Sequence, residues 1–279
     1  MTLLYAWVNP VGEGDMDFVP HQEGFSALVD HTWVTTYDNR QDVYTDIAAV
    51  RAKLQQYWFC WGVFHAQGSS TKVPGGFAGQ APADLGRASC LCLPNQPSKG
   101  NPPAQGTIFR YGINGVCHQL ANQVLWATGS ATTPPLTVRI ARGYWLSTAL
   151  YGSYGRNWAS NAWAEKKNAC AVGAALSPED EPDVFAARVH AVFGQGLVAD
   201  AHDKVLTHRD TALAALAAMA ARPPAQPDAA TRDECKQVNQ IALEFQQRAA
   251  EKLTPEQYRQ IFELEPDERL ALVDPGLAG

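Results

Sequence analysis

The sequence predicts an α+β fold in which an antiparallel sheet packs on a helix bearing a cysteine, with a helical C-terminal region after it. Three observations predict this. The runs DHTWVTTY from Asp30 and YWFCWGVFHA from Tyr57 are dense in Thr, Val and aromatic residues, the composition of strands. Val116, Leu120, Val124 and Ala127 recur at helical spacing, and Gly129 follows as a natural stop. Past residue 175 the chain turns Ala-rich and polar-faced, with helix-start signals at intervals.

The elements follow in order. Residues 3–8 form a short apolar run read as a strand. Residues 30–37 are a stronger strand, broken by Asp38-Asn39. Val43, Ile47, Val50 and Leu54 then predict a short amphipathic helix over 43–55. Residues 57–66 are almost wholly apolar, which predicts a central strand. Residues 68–106 are dense in Gly, Pro, Ser and Asn and read as a long loop inserted in the domain. A brief strand over 107–111, a turn at Asn114-Gly115 and a helix over 116–128 come next. Residues 136–147 read as one or two strands, and 151–163 as an aromatic loop. Ser177-Pro178 opens a helix, 206–221 forms another, and RPPAQPD from Arg222 is a linker. A long helix over 231–253 and one starting at Thr254, with Gln257 at the capping-box position, complete the chain. The division expected is a domain over 1–175, carrying the 68–106 insertion, and a helical region over 176–279.

The chain has 279 residues, 46% of them hydrophobic, enough for a sizeable core. Its net charge is −6 with no basic cluster, which argues against a nucleic-acid partner. No run of about 18 apolar residues is present, so no membrane span is expected. The first ten residues lack a basic start, an apolar run and a cleavage site, so no signal peptide is expected. Six scattered cysteines read as reduced thiols, consistent with a cytoplasmic protein or an effector exported without a cleaved signal. Cys90 and Cys92 lack the spacing and the second pair that zinc sites show, and no metal or other cofactor is expected.

Chemistry concentrates at Asn114-Gly115-Val116-Cys117-His118-Gln119. With Asn114 as N-cap, Cys117 falls in the first turn, where N–H groups lack helical partners and the dipole is positive. Both effects favour thiolate over thiol, and the same N–H groups can hold an oxyanion. Cys117 is therefore the candidate nucleophile. His31, heading the strand beside Trp33 and Val34, is the candidate base. In an antiparallel pairing with His31 opposite His65, Trp33 faces Val63, Thr35 faces Trp61 and Tyr37 faces Phe59, so His65 can orient the base. The intervening helix also permits parallel pairing, which puts His31 nearer Tyr57. His118, Gln119, Asn114 and Trp33 flank the pair and are the candidate substrate-binding residues.

A strand reading His-x-Trp-Val, a second strand, and then Gly-x-Cys at a helix start resembles the circularly permuted NlpC-type branch of the papain-like superfamily, which includes lecithin retinol acyltransferase-like proteins. In that branch the histidine precedes the cysteine, as His31 precedes Cys117. The resemblance spans residues 25–130. It implies a permuted papain-like fold, with Cys117 as nucleophile, His31 as base and His65 as polar orienter. The expectation is a thiol-dependent hydrolase or acyltransferase, such as a cysteine peptidase or amidase, acting on a peptide, amide or ester through an acyl-enzyme. The alternative is a non-enzymatic binding module that uses the long loop and aromatic segment, with the C-terminal helices docking a protein partner.

Overall fold

The computed structural model describes residues 2–9, 22–36, 58–59, 76–83, 88, 109–130, 132–170, 182–194, 198–223 and 230–276. Strands β1 (Thr2–Asn9), β3 (His31–Thr35), β4 (Trp58–Phe59) and β5 (Gly76–Ala83) form a sheet in the order β4-β3-β1-β5. Every pairing in it is antiparallel. Strands β2 (Ala27–Leu28) and β6 (Leu270–Ala271) pair in parallel as a second, two-stranded sheet.

Helix α1 (Cys117–Leu125) lies between the sheet and the helical body. Its Ala121, Val124 and Leu125 share one apolar cluster with Leu4, Ala6, Val8 and Val34 of the sheet. Its Leu120, with Val116 before it, joins a second cluster built from the helices. Every residue of α1 is buried, and its polar side chains His118, Gln119, Asn122 and Gln123 are each met by a backbone carbonyl. The α+β class and the sheet packed on the cysteine-bearing helix are as expected.

The remaining helices are α2 (Tyr144–Tyr151), α3 (Asn161–Cys170), α4 (Val184–Phe193), α5 (Val198–Ala201), α6 (Thr207–Ala220), α7 (Arg232–Lys252) and α8 (Pro255–Phe262). A π-helical turn, His202–Leu206, joins α5 to α6. Helices α7 and α8 start where their caps say they should. Thr231 accepts from the Glu234 amide and Thr254 from the Gln257 amide.

The structure corrects several expectations. Residues 76–83, expected in a loop, form edge strand β5, because pairing with the apolar β1 overrides a Gly- and Pro-rich sequence. Residues 144–147, expected in strands, open helix α2. This segment is buried almost all round, so its sequence shows neither period. Trp163, expected in an aromatic loop, is in α3. Strands β3 and β4 are antiparallel, but Thr35 stands opposite Trp58 rather than Trp61. The expected helix over 43–55, the rest of the 57–66 strand and the Ser177-Pro178 helix start lie outside the described residues.

Candidate active site

Cys117 is the first residue of α1. The N-cap is Val116, in extended conformation and with no side-chain cap. Gln119 compensates by reaching back, its Oε1 accepting from the Val116 amide at 3.0 Å. Asn114, expected as the cap, belongs to the preceding turn, where its Oδ1 accepts from the Arg110 amide at 2.7 Å.

The thiol points into the sheet at the edge of Asp30 and Thr32. Sγ donates to the Asp30 carbonyl at 3.5 Å. Interactions with the Thr32 amide and side chain and with the His118 amide favour its charged form. The expected depression of its pKa is not what this environment produces. Cys117 is 3% exposed, and burial pushes the thiol up to about 11. The nearby Asp30 carboxylate adds to that rise, while the interactions with Thr32 and the His118 amide oppose it. Desolvation of a fully buried anion outweighs the helix start here.

His118 converges on the same carbonyl. Its Nε2 lies 2.8 Å from Asp30 O, and its Nδ1 2.8 Å from Ser147 Oγ. A carbonyl only accepts, so Nε2 carries a proton. Burial drives the His118 pKa down to about 4 against the pull of the Asp30 carbonyl, so the ring is neutral at pH 7. Nδ1 is then the acceptor, and Ser147 donates to it. Ser147 has a second acceptor within reach, the Tyr144 carbonyl at 2.9 Å. Asp30 is itself fixed from both ends by Arg142. Its amide donates to the Arg142 carbonyl at 3.0 Å, and its Oδ2 accepts from the Arg142 amide at 2.9 Å.

His31 heads β3. Its ring stacks on Trp33, with centroids 5.7 Å apart and planes 23° from parallel. Trp33 is paired with Trp7, whose indole donates to Thr35 Oγ1 at 2.8 Å. His31, Trp33 and Thr35 thus share one face of β3, and Thr32 and Val34 the other. Cys117 contacts Thr32, and α1 packs on Val34. The pleat sets the His31 ring on the face of β3 opposite Thr32, the residue against the thiol. Burial, with His118 nearby, lowers the His31 pKa to about 3.

Trp33 is fully buried, and so is Gln119, whose Nε2 donates to Gly152 O at 3.0 Å and to Ser147 Oγ at 3.3 Å. Neither side chain presents itself to a ligand. His65 lies outside the described residues, as do Cys60, Cys90 and Cys92. Among the described residues, no group of three or more His, Cys, Asp or Glu is placed to hold a metal ion.

Sequence reasoning missed Asp30, Thr32 and Ser147. Strand alternation was a usable signal for Thr32, because it is the residue that shares a face with Val34. Ser147 had none, since only the packing of α2 on α1 brings it to His118. The chain matches no family model, no curated protein and no solved structure, so the reading of its function rests on this site's own chemistry.

Proposed function

We propose that the protein is a thiol-dependent hydrolase or acyltransferase that acts on a peptide, amide or ester through an acyl-enzyme on Cys117. The observation that carries this reading is the donor set around the sulfur. The amides of Thr32 and His118 and the Thr32 side chain lie close enough to Sγ to favour its charged form, at the start of a helix. Donors so arranged stabilise negative charge on sulfur, and on the oxygen of a carbonyl carbon bonded to it. The short motifs shared with the permuted NlpC-type branch support the same reading.

The base in this reading is His118 rather than His31. Thiol and imidazole hydrogen-bond to one carbonyl, and the ring has a proton path on its far side. The ring first exchanges tautomer through water admitted with the substrate, Nε2 giving its proton to one water molecule and Nδ1 taking one from another, while Ser147 turns its hydroxyl from His118 Nδ1 to the Tyr144 carbonyl. Nε2 is then free to accept the Cys117 proton as sulfur attacks. The tetrahedral intermediate expels the leaving group, which takes that proton from His118, and leaves a thioester. Water or an amine then attacks the thioester. With the thiol near 11 and the imidazole near 4, the resting pair is neutral. Proton transfer therefore accompanies attack rather than preceding it.

The test is intact-mass spectrometry after incubation with activated esters and thioesters, alongside turnover of ester, amide and peptide substrates. An acyl adduct on Cys117 that is lost in Cys117→Ser is the expected result. His118→Gln should reduce its formation more than His31→Gln does. Absence of both adduct and turnover in the folded protein would leave the second reading, a binding module. That reading is favoured by the near-complete burial of Cys117.

A further inference from the structure

On the opposite side of α2 from Cys117, a cleft opens towards α6. It has two lobes that share Gly152 and Leu213, with volumes of about 360 Å³ and about 190 Å³. The larger lies in the usual range of small-molecule sites, roughly 300–1,000 Å³. Its wall carries Trp158, Leu213 and Arg156. Thr148 lines the smaller lobe, beside Phe185.

Two polar groups in this cleft are incompletely matched among the described residues. Arg156 is more than half buried, and Nη1 donates to the Leu213 carbonyl at 3.2 Å. No carboxylate among the described residues faces it. The other arginine of the cleft, Arg209, is neutralised by Asp183 at 2.6 Å and Asp210 at 3.1 Å. Thr148 is 3% exposed, and its Oγ1 has no hydrogen-bond partner among the described residues. Its neighbour Ser147 points the other way, to His118. A guanidinium without a counter-ion and an unsatisfied buried hydroxyl are both costly unless a ligand completes them.

We propose that this cleft binds a small ligand composed of an oxyanion and an apolar body. The oxyanion, a carboxylate or a phosphate, pairs with Arg156. The body lies against Trp158 and Leu213, and a polar substituent reaches Thr148 Oγ1. A planar guanidinium matches either oxyanion with two parallel hydrogen bonds, while the indole and leucine offer only apolar surface. The site stands independently of the thiol chemistry, which lies across α2.

Isothermal titration calorimetry at low ionic strength tests it, with mandelate, phenylphosphate and the neutral mandelamide as probes. Both oxyanions should bind, and their order identifies the preferred head group. Mandelamide should bind at least about tenfold more weakly, the amide having lost the charge. Arg156→Gln should cost the oxyanions a similar factor, and Arg156→Lys should restore part of it. Thr148→Val, nearly isosteric, should weaken mandelate severalfold. Absence of binding by either oxyanion overturns the proposal, as does equal binding of mandelamide. Undiminished binding by a folded Arg156→Gln does so too. If that variant does not fold, salt decides on the native protein. Mandelate affinity must fall as salt rises while mandelamide affinity does not, and salt-independent mandelate binding overturns the assignment.

Discussion

Protonating His118 requires a charge inside a fully buried network, and that fixes how the protein responds to acid. Its pKa falls from 6.5 to about 4 on folding, and that of His31 from 6.5 to about 3. A depressed folded-state pKa contributes stability that is present above 6.5 and is lost as pH falls through the folded value. For His118 the drop from 6.5 to about 4 corresponds to roughly 3 kcal/mol. The melting temperature should therefore decline as pH falls from 6.5 towards 4. His118→Gln, which keeps a donor for the Asp30 carbonyl, should flatten that decline, and an unchanged slope would contradict the assignment. Cys117 acts at the other end of the scale. Its pKa rises from 9.0 to about 11, so its contribution is complete below pH 9.0 and is lost as pH rises towards 11. Native Cys117 should accordingly alkylate more slowly than a free thiol at pH 8, and at the free-thiol rate once unfolded. Rapid alkylation of the native residue at pH 6 would show a thiolate that this environment does not support. The position of Cys117 at a helix start was readable from Gly115, Val116 and the apolar stripe behind it. Its protonation state was not, because the burial comes from strands distant in sequence.

Among the elements, the helix that begins at Gly143 is the most sharply constrained. Gly143 has φ +80°, and a Cβ there would lie 2.5 Å from Val29 Cγ1. Strain and collision act together, so Gly143→Ala should destabilise by at least about 2 kcal/mol in urea unfolding. A neutral effect would mean that α2 starts differently. At the start of α7, Glu234 accepts from the Thr231 amide at 2.9 Å and takes Arg110 Nη2 on both oxygens, at 2.7 and 2.6 Å. Hydrogen bonds from Thr231 and the Arg110 charge hold its carboxyl below the usual carboxylate range despite burial. Glu234→Gln weakens the two-pronged pair with the nearly buried Arg110 and should cost about 2 kcal/mol by the same measurement. Elements with such local signals were legible. The starts of α7 and α8 follow from Thr231 with Glu234 and from Thr254 with Gln257. Strand β5 was not legible, since nothing in GFAGQAPA announces a strand until β1 pairs with it.

At the scale of the whole molecule, the change in composition near residue 175 falls between two helices, α3 and α4, and is not a break in the core. One apolar cluster takes Ala27, Val29, Phe109 and Ile113 from before that point and Phe185, Val238, Phe262 and Val273 from after it. Backbone pairing crosses it as well. Ala27 and Leu28 pair with Leu270 and Ala271, and Ser26 donates to the Arg269 carbonyl. Arg142 and Glu268 close an ion pair nearby. Composition records what each stretch forms locally, whereas membership of a core depends on contacts between distant stretches, which is why the shared core was not visible in the sequence. The consequence is cooperative. Residues 1–175 alone would expose the apolar side of α2 and the segment after β2, with no neighbour to cover them. The full chain should melt in a single transition, with calorimetric and van't Hoff enthalpies in agreement. The 1–175 fragment should lack a cooperative melt and bind a hydrophobic dye. Removing only residues 264–279 should produce a similar loss, because β6 and Val273 belong to the shared cluster. A 1–175 fragment with a sharp transition and dispersed amide resonances would show that the first region is an independent domain. The helical part would then be an attachment to it rather than half of its core.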